Sequence, residues 1–336
     1  MDSLELIHQQ YQTAQKSGGW FDHPNRGIIE VSGTDRVRFL HNILTNDIKS
    51  LTPGSGLQAC LLTAQAKIIA VMNVLCFENH FWLALDYGLK DKLREALEKL
   101  IIMEQVELKD RSDELKLLSV HGPNAKDVIA SVFKTQPPKD PLNHIRIRPK
   151  PDELMPIVII RINLIGLEGC GILFPKKEIE KLLKMVKEGA ASLQMVELSG
   201  TAMENMRIAA GIPKYGIDYD ESNIPLECLL DHTISFTKGC FPGQEIIARL
   251  DSRSGVNKKL CGLVLKGEIP PKKNDRVLES EKEIGHITSA TFSPILKKTI
   301  ALGYLQKGSW NVGHPVVVEI EAGKIPARVE ELPFYF

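Results

Sequence analysis

The chain predicts an α+β protein, with antiparallel or mixed sheets and helices over 1–256 and a small β-barrel over 257–336. Three observations carry this reading. Strand-like apolar runs alternate with single amphipathic helices through the first part of the sequence. Helical spacing disappears after Lys259, where six short strand signals follow one another. With 336 residues, 43% of them hydrophobic, the chain has the length for about two domains and enough apolar material for real cores.

The elements follow in order. Residues 27–31 read as a strand, and Thr34 or Asp35 can cap a helix whose Val37, Leu40, Ile43 and Leu44 recur at helical spacing. Strands are expected at 57–63, 67–77 and 81–86. Leu89, Leu93, Leu97, Leu100 and Ile101 then form a helix stripe ahead of a strand near 104–109. The pattern repeats with strands at 115–120, 143–148, 157–162 and 170–174, and a helix over 176–188 that turns Ile179, Leu182, Leu183 and Val186 inward. His121 before Gly122-Pro123 reads as a turn residue. Pro137-Pro138-Lys139-Asp140-Pro141 is a surface connection, which places a break between two sub-domains near 133–142. A helix at 197–210 leads into a Gly- and Pro-containing passage from Gly211 to Leu226. The strands of the barrel are expected at 260–265, 276–279, 284–292, 299–305, 315–320 and 325–329.

Charge and cysteine usage narrow the function classes. Forty-two basic residues balance forty-two acidic ones, which argues against a general nucleic-acid or membrane binder, since those draw affinity from a net basic surface. The six cysteines are scattered without a C-x-x-C, pointing to free thiols in a reducing compartment, and the nine histidines lack metal-ligand spacing. The acidic start reads as neither secretory signal nor transit peptide, and no apolar run reaches membrane-spanning length, so a cytoplasmic location is expected. Gly54-Ser55-Gly56 lacks the further glycine of a dinucleotide turn, and Gly323-Lys324 lacks the Ser or Thr of a P-loop.

The chemistry concentrates in Lys238-Gly239-Cys240-Phe241-Pro242-Gly243-Gln244-Glu245, followed by Ile246-Ile247-Ala248-Arg249. Glycines and a proline mark a tight turn, and helical spacing resumes after Gly243. Cys240 thus sits ahead of a helix start with Lys238 two residues away, and both favour thiolate over thiol. The bland alternative is a small buried hydrophobe, the usual fate of a lone cysteine.

This segment resembles the signature of the YgfZ family, folate-binding relatives of the glycine-cleavage T-protein that maintain iron–sulfur enzymes. Other stretches agree: Gly27 to Arg36 with Phe39-Leu40 and Thr45-Asn46-Asp47, then Gly122-Pro123-Asn124-Ala125, then Gly285-His286-Ile287-Thr288-Ser289 and Ala301-Leu302-Gly303-Tyr304. The resemblance implies a T-protein-like folate-binding region followed by the C-terminal barrel, with tetrahydrofolate or a derivative as cofactor. Glu227, in the place of the family's Pro-x-Glu, is then the candidate acceptor for the two donors of the pterin edge. Arg253 and Arg249 are candidates for the anionic folate tail, Arg253 preferred because a guanidinium pairs with carboxylate in a planar fork. Gln244 of the signature joins the cofactor-binding set. Arg207 either buttresses the pocket floor or pairs with Glu204 on the same helix face.

The resemblance leaves two function classes. The first is an accessory factor in iron–sulfur cluster assembly or repair, linked to iron–sulfur enzymes that modify tRNA, with Cys240 and Lys238 as its working groups. Its partners would be iron–sulfur proteins or assembly factors. The alternative is an aminomethyltransferase, which passes a one-carbon unit from a lipoyl-bound aminomethyl group to tetrahydrofolate. T-proteins carry an Asp-Asp-like pair after the T-N-D element, and here Ala70-Val71 stand in those positions. Neither can hold a proton, which favours the accessory factor.

Overall fold

The computed structural model describes residues 4–147 and 156–334, leaving aside the side chains of Leu4, Arg253 and Ser254. Two helix-backed sheets face each other, and a barrel closes one side. The first sheet orders Gly56–Leu62, Ile68–Cys76, His80–Asp86, Arg26–Ser32 and Glu107–Asp110, all antiparallel. Helices Arg36–Ile43 and Lys90–Leu100 cover its outer face, where Phe39, Leu40, Leu93 and Leu97 meet Ile29, Val31, Ala70 and Met72. Because strand side chains alternate, Ala70, Met72 and Val74 are buried under the helices while Val71 and Asn73 on the opposite face are half-buried, and a register shift between Ile68 and Ala70 turns Ile68 to the Val71 side.

The second sheet orders Val196–Glu197, Gly19–Asp22, Leu115–His121, Gly169–Pro175, Ile157–Ile162 and His144–Ile147. It is antiparallel except where Gly19–Asp22 runs parallel to Val196–Glu197. Helices Ala125–Phe133 and Ile179–Ser192 back it through Val128, Ile129, Leu182 and Val186. The inner faces of the two sheets meet through Ile28, Leu75 and Trp82 on one side and Val158, Ile160 and Leu173 on the other.

Two expectations need correction. The proline-rich connection near 133–142 is not a sub-domain break: it joins helix Ala125–Phe133 to the edge strand His144–Ile147 within the second sheet's unit. The chain changes sheets at 22–26 and again at 110–115 instead. Prolines mark a surface loop, and a surface loop need not be a boundary. His121 is not a turn residue but the fully buried end of strand Leu115–His121, and a helix follows it where only a turn was read.

The barrel is closed, in the order Lys258–Leu265, Lys298–Gln306, Lys282–Ser293, Arg276–Glu279, Pro315–Ile320 and Gly323–Glu330. Leu263, Val277, Ile287, Leu305 and Val318 fill it, and closure leaves no edge strand. A further apolar core joins the parts: Ile7 and Tyr11 of helix Leu4–Lys16, Met206 of helix Gly200–Ala209, Leu62 and Ile68 of the first sheet, and Tyr304 of the barrel. Among the described residues, no helix is long and apolar enough to cross a membrane.

Candidate functional site

The passage Gly211 to Phe241 runs from the helix Gly200–Ala209 back onto the first sheet, and hydrogen bonds pin it there. Asn223 O accepts from Ile68 N at 3.1 Å, Thr45 Oγ1 donates to Thr233 O at 2.6 Å, and Ser235 N donates to Thr45 O at 3.0 Å. The Thr45-Asn46-Asp47 element is therefore a clamp: Asn46 Nδ2 also donates to Gln58 O at 2.8 Å.

Glu227 ends the turn Pro225–Glu227 and is buried. Its Oε2 accepts from Ile224 N at 3.1 Å and from Asn223 Nδ2 at 3.3 Å. Among the described residues its Oε1 takes no hydrogen bond, so half of a buried carboxylate's accepting capacity is held open. From Ile68, where this turn is anchored, to Asn73 is five strand residues, about 17 Å. Val71 and Asn73 lie along this track on the face turned towards the second sheet.

At the far end a narrow cavity of about 80 Å³ opens between the sheets, lined by His23, Arg26, Asn73 and Ala84 together with apolar residues such as Leu117, Ile160 and Leu173. Arg26 reaches Asp86 at 2.5 Å. Asn73 Oδ1 accepts from Gln58 Nε2 at 3.1 Å, and Gln58 Oε1 meets His232 Nε2 at 2.7 Å, tying the cavity wall to the signature passage. His23 Nε2 and His121 Nε2 both meet the Ser119 hydroxyl, at 2.7 and 2.9 Å. Burial, then the neighbouring Arg26, His121 and Lys116, pushes His23 down to about 3, and burial pushes His121 down to about 4. Both imidazoles are thus neutral at physiological pH.

The signature residues divide. Cys240 is exposed, whereas Cys60, Cys76, Cys170, Cys228 and Cys261 are buried. The following helix, Gln244–Arg249, has six residues and begins four positions beyond the thiol, so the dipole argument for Cys240 loses its footing. Gly243 has φ +80°, and a Cβ there would come within 2.8 Å of Ala66 Cα and Thr63 O, so only glycine lets the turn sit on the hairpin between Gly56–Leu62 and Ile68–Cys76. Lys238 is a helix cap, and Cys240 comes last among the charges that act on its ammonium. Its Nζ donates to the carbonyls of His41 and Leu44 at the C-terminal end of helix Arg36–Ile43, where a cation suits the dipole. Burial lowers its pKa to about 8.

Of the expected folate contacts, the structure sets Arg207 apart. All five of its N–H groups are used: on Glu204 Oε1 and Oε2 (2.6 and 3.1 Å), Asp218 Oδ2 (2.7 Å), Ser289 Oγ (3.0 Å) and Ile212 O. Arg207 is therefore a structural tie with no donor left for a ligand. Gln244 is half-buried and Arg249 exposed, neither with a polar side-chain partner among the described residues. Arg253 falls in the π-helical turn Leu250–Ser254, and its side chain lies outside the described residues. Sequence reading missed the cavity wall. Asn73 carried the one local signal, as the polar residue in an apolar strand, while His23 and Arg26 carried none.

Facing sheets, a buried carboxylate with an open oxygen and a closing barrel thus surround one inter-sheet cleft. The chain belongs to the glycine cleavage T-protein family: residues 2–238 match the GCVT N-terminal domain and residues 258–335 the glycine cleavage T-protein C-terminal barrel domain. It is 25% identical to an aminomethyltransferase of Caldanaerobacter subterraneus, over 99% of this chain and 88% of that one. An aminomethyltransferase of Chlorobium phaeovibrioides is 27% identical over 98% of this chain and 90% of that one. The crystal structure of the glycine cleavage system aminomethyltransferase T from Bartonella henselae superposes with a TM-score of 0.86 at 23% identity, covering 98% and 89% of the two chains. That likeness establishes the fold.

Proposed function

We propose that this protein binds a reduced folate along the track from Glu227 to the inter-sheet cavity and handles a one-carbon unit on it, as an aminomethyltransferase-type protein. The observation that carries the reading is Glu227: a buried carboxylate with one oxygen bonded to its own turn and the other open can accept from the donors of a pterin edge. Family membership and the aminomethyltransferases at 25% and 27% identity support the transfer chemistry.

A second reading is favoured by two features of this chain. Val71 faces the cleft where a T-protein would hold a carboxylate, while Ala70 is turned into the helix layer and could not supply one. Cys240 is the exposed thiol. Together they suit a YgfZ-type accessory factor that binds folate without aminomethyl transfer and supports iron–sulfur proteins through Cys240. Calorimetric titration with tetrahydrofolate beside a glycine-cleavage assay tests both. Binding with methylene-tetrahydrofolate formation supports the first reading, binding without turnover supports the second, and absence of binding sinks both.

A further inference from the structure

We infer that Tyr304 of the barrel is a positioning residue for Glu227, acting on that carboxylate through the thiol of Cys228. This rests on the folate reading, in which Glu227 receives the pterin. The turn Pro225–Glu227 is three residues long, too short to fix its own orientation, so what holds it decides where the open oxygen of Glu227 points.

The turn is held from two sides. On the sheet side Asn223 O accepts from Ile68 N at 3.1 Å, while Asn223 Nδ2 and Ile224 N donate to Glu227 Oε2. On the barrel side the Cys228 thiol donates to Ile224 O at 3.3 Å, and Tyr304 Oη lies 3.2 Å from Cys228 Sγ. A thiol has one proton, so with that proton on Ile224 O the phenol is the donor to sulfur. Burial, with the charge of Glu227 adding to it, pushes the Cys228 thiol up to about 12, and its proton stays in place at physiological pH. The phenol thus bonds the thiol, the thiol bonds the carbonyl of Ile224, and the N–H of Ile224 bonds the carboxylate.

Packing alone does not call for this pair. Cys228 is fully buried and Tyr304 is 3% exposed, both inside an apolar core. Phenylalanine and alanine would fill such a core with no polar group to desolvate. The ordinary reading is that a buried tyrosine hydroxyl finds some partner. Here the partner is the residue next to Glu227, and the phenol has little freedom to shift: Tyr304 pairs with Leu260 on one side and His286 on the other in a closed barrel, and Lys258 Nζ lies over its ring at 4.9 Å. A fixed phenol therefore sets the thiol, and through Ile224 the direction of the carboxylate.

The test is calorimetric titration of the full chain and its variants with tetrahydrofolate, beside urea denaturation of each. Tyr304→Phe, which removes one hydroxyl, and Cys228→Ala are each expected to weaken binding about two- to tenfold, the worth of one net hydrogen bond. Cys228→Ser keeps a donor for Ile224 O and an acceptor for Tyr304, and should recover most of the loss seen in the alanine variant. Leu302→Val trims the same strand in the same core without touching these bonds, so it should lower the denaturation midpoint and leave affinity unchanged. Wild-type binding that is weakened by Glu227→Gln but unaltered by Tyr304→Phe and Cys228→Ala would overturn this inference and leave the folate reading standing, whereas no binding by the wild type would overturn both. Equal weakening by Leu302→Val, or a serine variant no better than the alanine one, would reduce Tyr304 and Cys228 to packing and overturn the inference as well.

Discussion

Arg207 and Asp218 form a buried ion pair at 2.7 Å, and the barrel is fastened to it. Asp218 Oδ2 meets the guanidinium and Lys214 N, while Oδ1 accepts from the Thr288 and Ser289 hydroxyls of the barrel, each at 2.6 Å. One pair thus joins the helix Gly200–Ala209, the passage after it and the strand Lys282–Ser293.

Removing one partner leaves the other charge buried and unpaired, which costs about 3–5 kcal/mol. Arg207→Met is expected to lose stability on that scale in urea denaturation, and a folate-contact role would instead lower affinity while leaving the denaturation midpoint in place.

How much of this was legible in the sequence depends on how local the cause is. Ile68–Cys76 and Lys90–Leu100 lie within a residue or so of their expected positions, because period-2 and period-3.6 patterns are written in neighbouring residues. Helix Ala125–Phe133 was hidden behind the Gly122-Pro123-Asn124 turn signal, although Val128, Ile129, Val132 and Phe133 do repeat at helical spacing. Gly19–Asp22 pairs with Leu115–His121 about a hundred residues away, and nothing in four residues says which sheet they join. The site shows the same limit. The signature was readable, but the amine of Lys238 is taken by carbonyls 194 and 197 residues distant in sequence, and Arg207 is saturated by five separate contacts.

Stability should fall in mild acid through His23 and His121. Their folded pKa values, about 3 and about 4, lie below the ordinary 6.5, so the unfolded chain takes up protons first as pH drops. Their stabilising contribution is complete above 6.5 and is lost progressively from there down to about 4 for His121 and about 3 for His23. His121→Phe should flatten the stability–pH profile in that window, which denaturant titrations between pH 7 and pH 4 check; an unaltered slope would mean other groups set the acid response.

Glu227→Gln keeps the size and the contacts to Ile224 N and Asn223 but replaces an open anionic acceptor by an amide. If the carboxylate receives the pterin donors, tetrahydrofolate affinity should fall by about one to two orders of magnitude, the cost of an unmatched buried hydrogen-bonding group. Calorimetry on the folded variant decides it, and unchanged affinity would return Glu227 to the role of a turn residue whose carboxylate only braces Pro225–Glu227.

Cys240 is expected to be the first thiol to alkylate near neutral pH. Burial pushes Cys60, Cys228 and Cys261 up to about 12 and also raises Cys76 and Cys170, so the other five are both covered and poor thiolates. Lys238 bears on this less than its place in the sequence suggests. With its amine on the carbonyls of His41 and Leu44, Lys238→Met should lose about 1 kcal/mol of stability as a missing helix cap and change the labelling rate of Cys240 little. Mass-spectrometric labelling of all six cysteines in the wild type and in Lys238→Met separates the two roles. A large drop in Cys240 labelling without loss of stability would show that the ammonium serves the thiol. Cys240→Ser completes the comparison: at an exposed position serine should leave folding and folate affinity intact, so any loss of support for iron–sulfur enzymes in cells would come from the missing sulfur. Full support by the serine variant would remove Cys240 from the mechanism and with it the main reason to prefer the accessory-factor reading.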